Sequence, residues 1–104
     1  MARLRNMGLQ GNGCRVTGRL FRADGRPLAG VPVRFLPARS GVWRGRVIGR
    51  APVEVLTDEQ GRFSVCLTPS DVVGRYEVVI NEARYVVEAP DQPAAAFEEI
   101  ALAG

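Results

Sequence analysis

Trp43 stands among Arg39, Arg44, Arg46 and Arg50, and this is the stretch of the chain whose residue types best suit a binding surface. Tryptophan and arginine are enriched at binding hot spots, and long loops in compact domains are often functional. Two readings of the stretch stand side by side. In one it is a protein-contact loop; in the other Trp43 folds back over a sheet edge and the arginines are solvated. A second contact surface is expected in the N-terminal residues Arg3, Leu4, Arg5, Met7 and Leu9, whose mixed apolar and basic character suits docking on a neighbour.

Catalysis finds little to work with. The chain has no histidine, and all 14 of its basic residues are arginine. That removes the commonest general base and metal ligand, every Ser-His-Asp or Cys-His system, and any lysine Schiff base. Glu98 and Glu99 are adjacent, so in a strand they face opposite ways and make a poor acid/base pair. Asp24, Asp58 and Asp71 fall in turns, where aspartate caps its own backbone. A calcium site from Asp58, Glu59 and loop carbonyls is the weaker reading of that turn. The sequence therefore predicts no enzyme, and no catalytic, cofactor-binding or metal-binding residues.

The charge is divided. Residues 1–50 carry eleven arginines against Asp24 alone, for +10; residues 51–104 carry three arginines and ten acids, for −7. In a sandwich the halves interleave, so the opposite charges are expected to face each other across strands. A nucleic-acid partner is not expected, because one tryptophan is a thin stacking platform and no nucleic-acid motif is visible. No apolar run is long enough to span a bilayer, so no membrane partner is expected either. Met1–Gly8 carries charge but no apolar core of the secretory type, so export by that route is not expected.

These residues must be positioned by strands. Apolar residues alternate through Cys14–Arg22, Val31–Leu36, Val53–Thr57, Arg62–Leu67, Tyr76–Ile80 and Arg84–Glu88, the period of a half-buried strand. Asp24-Gly25, Asp58–Gly61 and Asn81-Glu82 supply turn chemistry between them. A short strand is expected at Arg46–Ile48 and a last edge strand at Phe97–Leu102, with no helix of useful length. The pattern predicts an all-β fold: a single Greek-key β-sandwich of about seven strands over residues 13–104, preceded by a flexible N-terminal arm at 1–12. Val16, Leu20, Val33, Phe35, Phe63, Val65, Tyr76 and Val78 should point inward. Cys14 shares that inward parity and Cys66 does not, so the two thiols should sit in different layers and remain free.

The phrase Gly18, Asp24-Gly25, Pro27-Leu28-Ala29-Gly30, Thr57-Asp58, Gly61, Phe63 and Gly74-x-Tyr76 resembles the carboxypeptidase regulatory-like domain, a transthyretin-like, Ig-like sandwich. The resemblance covers about residues 14–88. It implies a non-catalytic stabilising, adhesive or assembly module. The transthyretin-like hydroxyisourate hydrolases use histidines and a C-terminal Tyr-Arg-Gly-Ser-type tail; this chain has no histidine and ends Ala101-Leu102-Ala103-Gly104. The continuation Tyr85–Asp91 and Phe97–Leu102 is similar to that of small bacteriophage structural components of heads, necks and tail fibres. That similarity implies a virion location, synthesis in the host cytoplasm, and partners that are other virion proteins and further copies of the chain. The alternative it leaves is a cell-surface or carbohydrate-binding adhesion module.

Overall fold

The computed structural model describes residues 13–102. The expected N-terminal arm, with Arg3, Leu4, Arg5, Met7 and Leu9, lies outside the described residues. Within them the chain is an all-β sandwich. The strands are β1 (Cys14–Arg19), β2 (Pro32–Pro37), β3 (Gly41–Trp43), β4 (Arg46–Ile48), β5 (Val53–Leu56), β6 (Arg62–Leu67), β7 (Tyr76–Ile80), β8 (Ala83–Val87), β9 (Ala94–Ala96) and β10 (Ala101–Leu102). Two helical turns interrupt them, α1 (Ser70–Val73) and α2 (Phe97–Ile100).

One sheet runs β6-β1-β9 and the other β10-β8-β7-β2-β5. The chain crosses from β1 to β2, back from β5 to β6 beside β1, and again to β7 beside β2, which is the Greek-key crossing. The inner faces meet on Val16, Phe63, Val65 and Leu67 from the first sheet and Val33, Phe35, Tyr76, Val78 and Val87 from the second, all buried. Phe35 lies at the centre, with ring centroids of Phe63, Tyr76 and Phe97 at 6.2, 6.5 and 6.5 Å. Of the eight residues expected inward, only Leu20 is partly rather than fully buried.

Two expectations need correction. β1 stops at Arg19, not at residue 22, because its partner β6 begins at Arg62, opposite Arg19. Beyond that point Leu20 N–H donates to the Gly61 carbonyl at the turn, and only Phe21 and Pro27 still bridge. Phe97–Leu102 is not one edge strand: α2 occupies 97–100 and only Ala101–Leu102 is extended. A strand would place Phe97 and Glu99 on one face, burying a carboxylate with the ring. The helical turn instead sends Phe97 inward while Glu98 and Glu99 stay exposed. β9 pairs with β1 in parallel, Val16 opposite Ala95, and its Ala-Ala-Ala run has no alternation that would announce a strand. The short strand β3 was likewise not foreseen, whereas β10 is the part of the expected last edge strand that is extended.

Thr57 explains part of the sequence phrase. It is buried, accepts the Val31 N–H at its hydroxyl (2.8 Å) and donates that hydroxyl to the Leu28 carbonyl (2.6 Å). One side chain thus ties the Pro27–Gly30 connection to the end of β5. Tyr76 does similar work at the far corner: its hydroxyl donates to the Thr68 carbonyl at 2.8 Å. Burial pushes its phenol from 10.0 up to about 12. The folded state disfavours the phenolate, so this stabilisation is complete below pH 10 and is lost as pH climbs toward 12. Tyr76→Phe should cost about 1 kcal/mol at neutral pH. The stability gap between wild type and Tyr76→Phe should then shrink across that alkaline range in denaturant melts; a gap that stays constant would contradict this account.

The thiols lie as their parity requires. In the β1–β6 register Cys14 faces Leu67 and Arg15 faces Cys66, so the sulfurs sit on opposite faces of the sheet, both free. Burial pushes the Cys14 thiol up, with a smaller push from Cys66. A thiol probe should label Cys66 in the folded protein and Cys14 only after denaturation. Equal native rates, or no free thiol after denaturation without reductant, would contradict that placement.

Candidate protein-contact site

The stretch 37–52 is not an irregular loop. β3 and β4 form a two-residue hairpin, Trp43 opposite Arg46, that pairs with neither main sheet. Its turn residues Arg44 and Gly45 have φ of 53° and 77°, the twin positive angles of the turn that matches strand twist. Gly45 adopts such an angle freely; Arg44 does so at a cost of roughly 1–2 kcal/mol. The strained tip brings the Arg44 guanidinium over the Trp43 ring, 4.6 Å from its centroid, a cation–π contact.

The root of the hairpin is fixed by Arg39. Its N–H donates to the Val73 carbonyl (2.9 Å) and its guanidinium to the Asp71 carbonyl (3.2 Å), both on α1. Arg39 is therefore a tie between hairpin and body. Arg46 sits beside Trp43 on the hairpin, and Arg50 is exposed in the link to β5. The hairpin thus carries Trp43, Arg44 and Arg46, with Arg39 at its root and Arg50 in the link that follows.

Directly opposed residues of a hairpin share a face. Gly41, Trp43 and Ile48 are half-buried against the body, while Val42 and Val47 pair on the outer face, 68% and 81% exposed. Under the hairpin lies a cleft of about 460 Å³. Trp43 and Arg44 wall it, Arg15 and Cys66 on the outer face of β1–β6 form its floor, and Asp91–Ala94 close the far side. Arg15, Cys66 and Asp91 were not expected at this site. Arg15 could be read as outward-facing, but its meeting with Trp43 depends on contacts between segments far apart in sequence.

Arg34–Glu54 joins the basic half to the acidic half across β2 and β5, whereas Arg22–Asp24, Arg26–Asp24, Arg62–Asp58, Arg75–Glu88 and Arg84–Glu77 are local. Asp58 is committed to its own turn: its Oδ1 accepts the Arg62 and Gln60 N–H groups at 2.8 and 2.9 Å. Those bonds, the Arg62 one first, hold its carboxyl below the usual range. Among the described residues no group of three or more His, Cys, Asp or Glu side chains is placed to hold a metal ion. Compared with known proteins, the chain matches no family model and no curated protein.

Proposed function

We propose that the chain is a non-catalytic assembly protein of a bacteriophage particle, a head, neck or tail component that uses the sandwich as a rigid block and the β3–β4 hairpin as its contact surface. The observation that carries the contact role is the hairpin itself. It stands outside both sheets, is anchored by Arg39, and presents the exposed Val42–Val47 pair on its outer face, with the Arg44 guanidinium stacked on Trp43 at its tip. Exposed apolar side chains on a projecting element that also carries tryptophan and arginine are what a protein interface uses. The particle context rests on the resemblance of residues 14–88 to the carboxypeptidase regulatory-like domain and of the tail to phage components. The carbohydrate-binding alternative would use the same tryptophan, but Arg44 already covers one face of its ring.

Trp43→Ala combined with Arg44→Asn tests the contact. Asparagine tolerates a positive φ, so the turn is kept while ring and cation are lost. The variant should melt like wild type yet lose particle incorporation by roughly thirtyfold, the worth of one hot spot of about 2 kcal/mol. Native incorporation by a folded variant would refute the hairpin as the contact.

A further inference from the structure

The two main sheets end in four edge strands, β6, β9, β10 and β5. An edge offers unpaired N–H and C=O groups to another chain unless something blunts it. Three of these edges are blunted. β10 is two residues long, and β9 is three residues that follow Pro93. On β6 the Asp58 turn takes the edge groups of Arg62, whose N–H donates to Asp58 Oδ1 and whose carbonyl accepts the Asp58 N–H, both at 2.8 Å. β5 has no such cover. Thr57 N–H donates to the Val31 carbonyl at 3.0 Å, and in that register Val55 and Val53 turn their backbone groups toward β2. Glu54 and Leu56 therefore turn theirs to the free side, where no hydrogen bond meets them among the described residues. Leu56 and Val53 stand beside this edge 63% and 37% exposed.

We propose that β5 is a self-pairing edge: two copies of the chain join antiparallel about a two-fold axis at Val55, running their larger sheets into one. The register follows from the residues. An axis at Glu54 would set two carboxylates face to face and oppose Leu56 to Pro52, which has no N–H to give. An axis at Leu56 would oppose Glu54 to Asp58, whose N–H is already committed to the Arg62 carbonyl. An axis at Val55 opposes Glu54 of each copy to Leu56 of the other, so every outward N–H and C=O of the strand finds its counterpart. Each exposed Leu56 then lies along the stem of a Glu54 whose carboxylate stays with Arg34 at 3.6 Å. Val55 meets Val55 on the inner face. The same antiparallel direction carries the link before β5 toward the Asp58 turn of the other copy. That brings Arg50 toward Glu59, both exposed and without an ion pair among the described residues. A contact that uses one patch on both copies closes at the dimer. It goes beyond the hairpin contact and uses no residue of β3 or β4.

A pair of four-residue strands buries less than a standard interface, so free chains associate weakly. Sedimentation of the purified full chain under reductant, from about 1 μM to about 1 mM, should show a reversible monomer–dimer step and no larger species. Amide exchange followed by NMR places the contact. The Glu54 and Leu56 amides should slow as concentration rises, while Val55, bonded to β2, is protected throughout. Glu54→Pro removes an outward N–H without touching the β2 ladder, a position where an edge strand tolerates proline. It should weaken dimerisation by about thirtyfold, the worth of two lost hydrogen bonds across the axis. Glu54→Gln keeps the N–H and should stay within about threefold, as expected of an exposed ion pair. A chain that is monomeric across the range, a dimer whose Glu54 and Leu56 amides exchange as in the monomer, or an equal loss in both variants overturns the proposal. The exchange measurement uses the wild-type chain, so it decides the matter even where Glu54→Pro fails to fold. Particle incorporation of the Trp43→Ala, Arg44→Asn variant is read separately. Loss there beside a purely monomeric chain here refutes the β5 pairing and leaves the hairpin contact standing.

Discussion

Phe35→Ala is expected to lower the unfolding free energy by about 3–5 kcal/mol. Phe35 is fully buried on β2 at the meeting point of both sheets, in ring contact with Phe63, Tyr76 and Phe97. Phe63 and Phe97 also touch each other, ring centroids 5.6 Å apart. Truncation removes apolar area and leaves a cavity between rings that two different strands and a helical turn hold in place, so the walls cannot close fully. Denaturant melts give the number directly. A loss below about 1 kcal/mol would mean the site collapses freely, which a ring cluster spanning both sheets does not permit.

Gly61→Ala should be nearly as damaging, for a backbone reason. Gly61 ends the Asp58 turn at φ 79°, and a Cβ there would lie 2.4 Å from the Leu20 carbonyl oxygen. Its own carbonyl accepts the Leu20 N–H at 2.9 Å, so the clash falls on the two strands' point of attachment. The left-handed angle and the overlap together predict a loss of about 2–4 kcal/mol. Gly25 is the control. Its φ is 90°, but nothing lies within 4 Å of a Cβ there, so Gly25→Ala should show the conformational cost alone, roughly 1–2 kcal/mol. Equal losses at the two positions would show that the overlap at Gly61 is relieved by small shifts.

The strands that bury one face were readable because the alternation states the face directly. Val33 and Phe35 on β2, Phe63, Val65 and Leu67 on β6, and Tyr76, Val78 and Ile80 on β7 are buried as the period requires. The Thr57–Gly61 turn was readable too, since Asp58 caps Gln60 and Arg62 and Gly61 takes the left-handed angle. The hidden elements share a cause: each is defined by a distant partner rather than by its own pattern. Ala94–Ala96 becomes a strand only because β1 offers an edge. Phe97 leaves the strand period to reach the Phe35 and Phe63 rings. The β3–β4 hairpin turns on Arg44-Gly45, in place of the Asn-Gly that would have announced it. In the candidate site, Trp43, Arg44 and Arg46 were legible from composition. The bonds of Arg39 to the carbonyls of α1 were not legible, because they join segments some thirty residues apart. Arg15 and Asp91 were missed because the cleft joins segments that the sequence keeps far apart.

The most direct measurement is amide hydrogen exchange on the chain alone and on the chain in its assembled particle. The account predicts that residues 41–48, where Val42 and Val47 are exposed in the free chain, gain protection on assembly. Protection confined to other edges, such as β5 or the β7–β8 turn, with 41–48 exchanging as in the free chain, would contradict it.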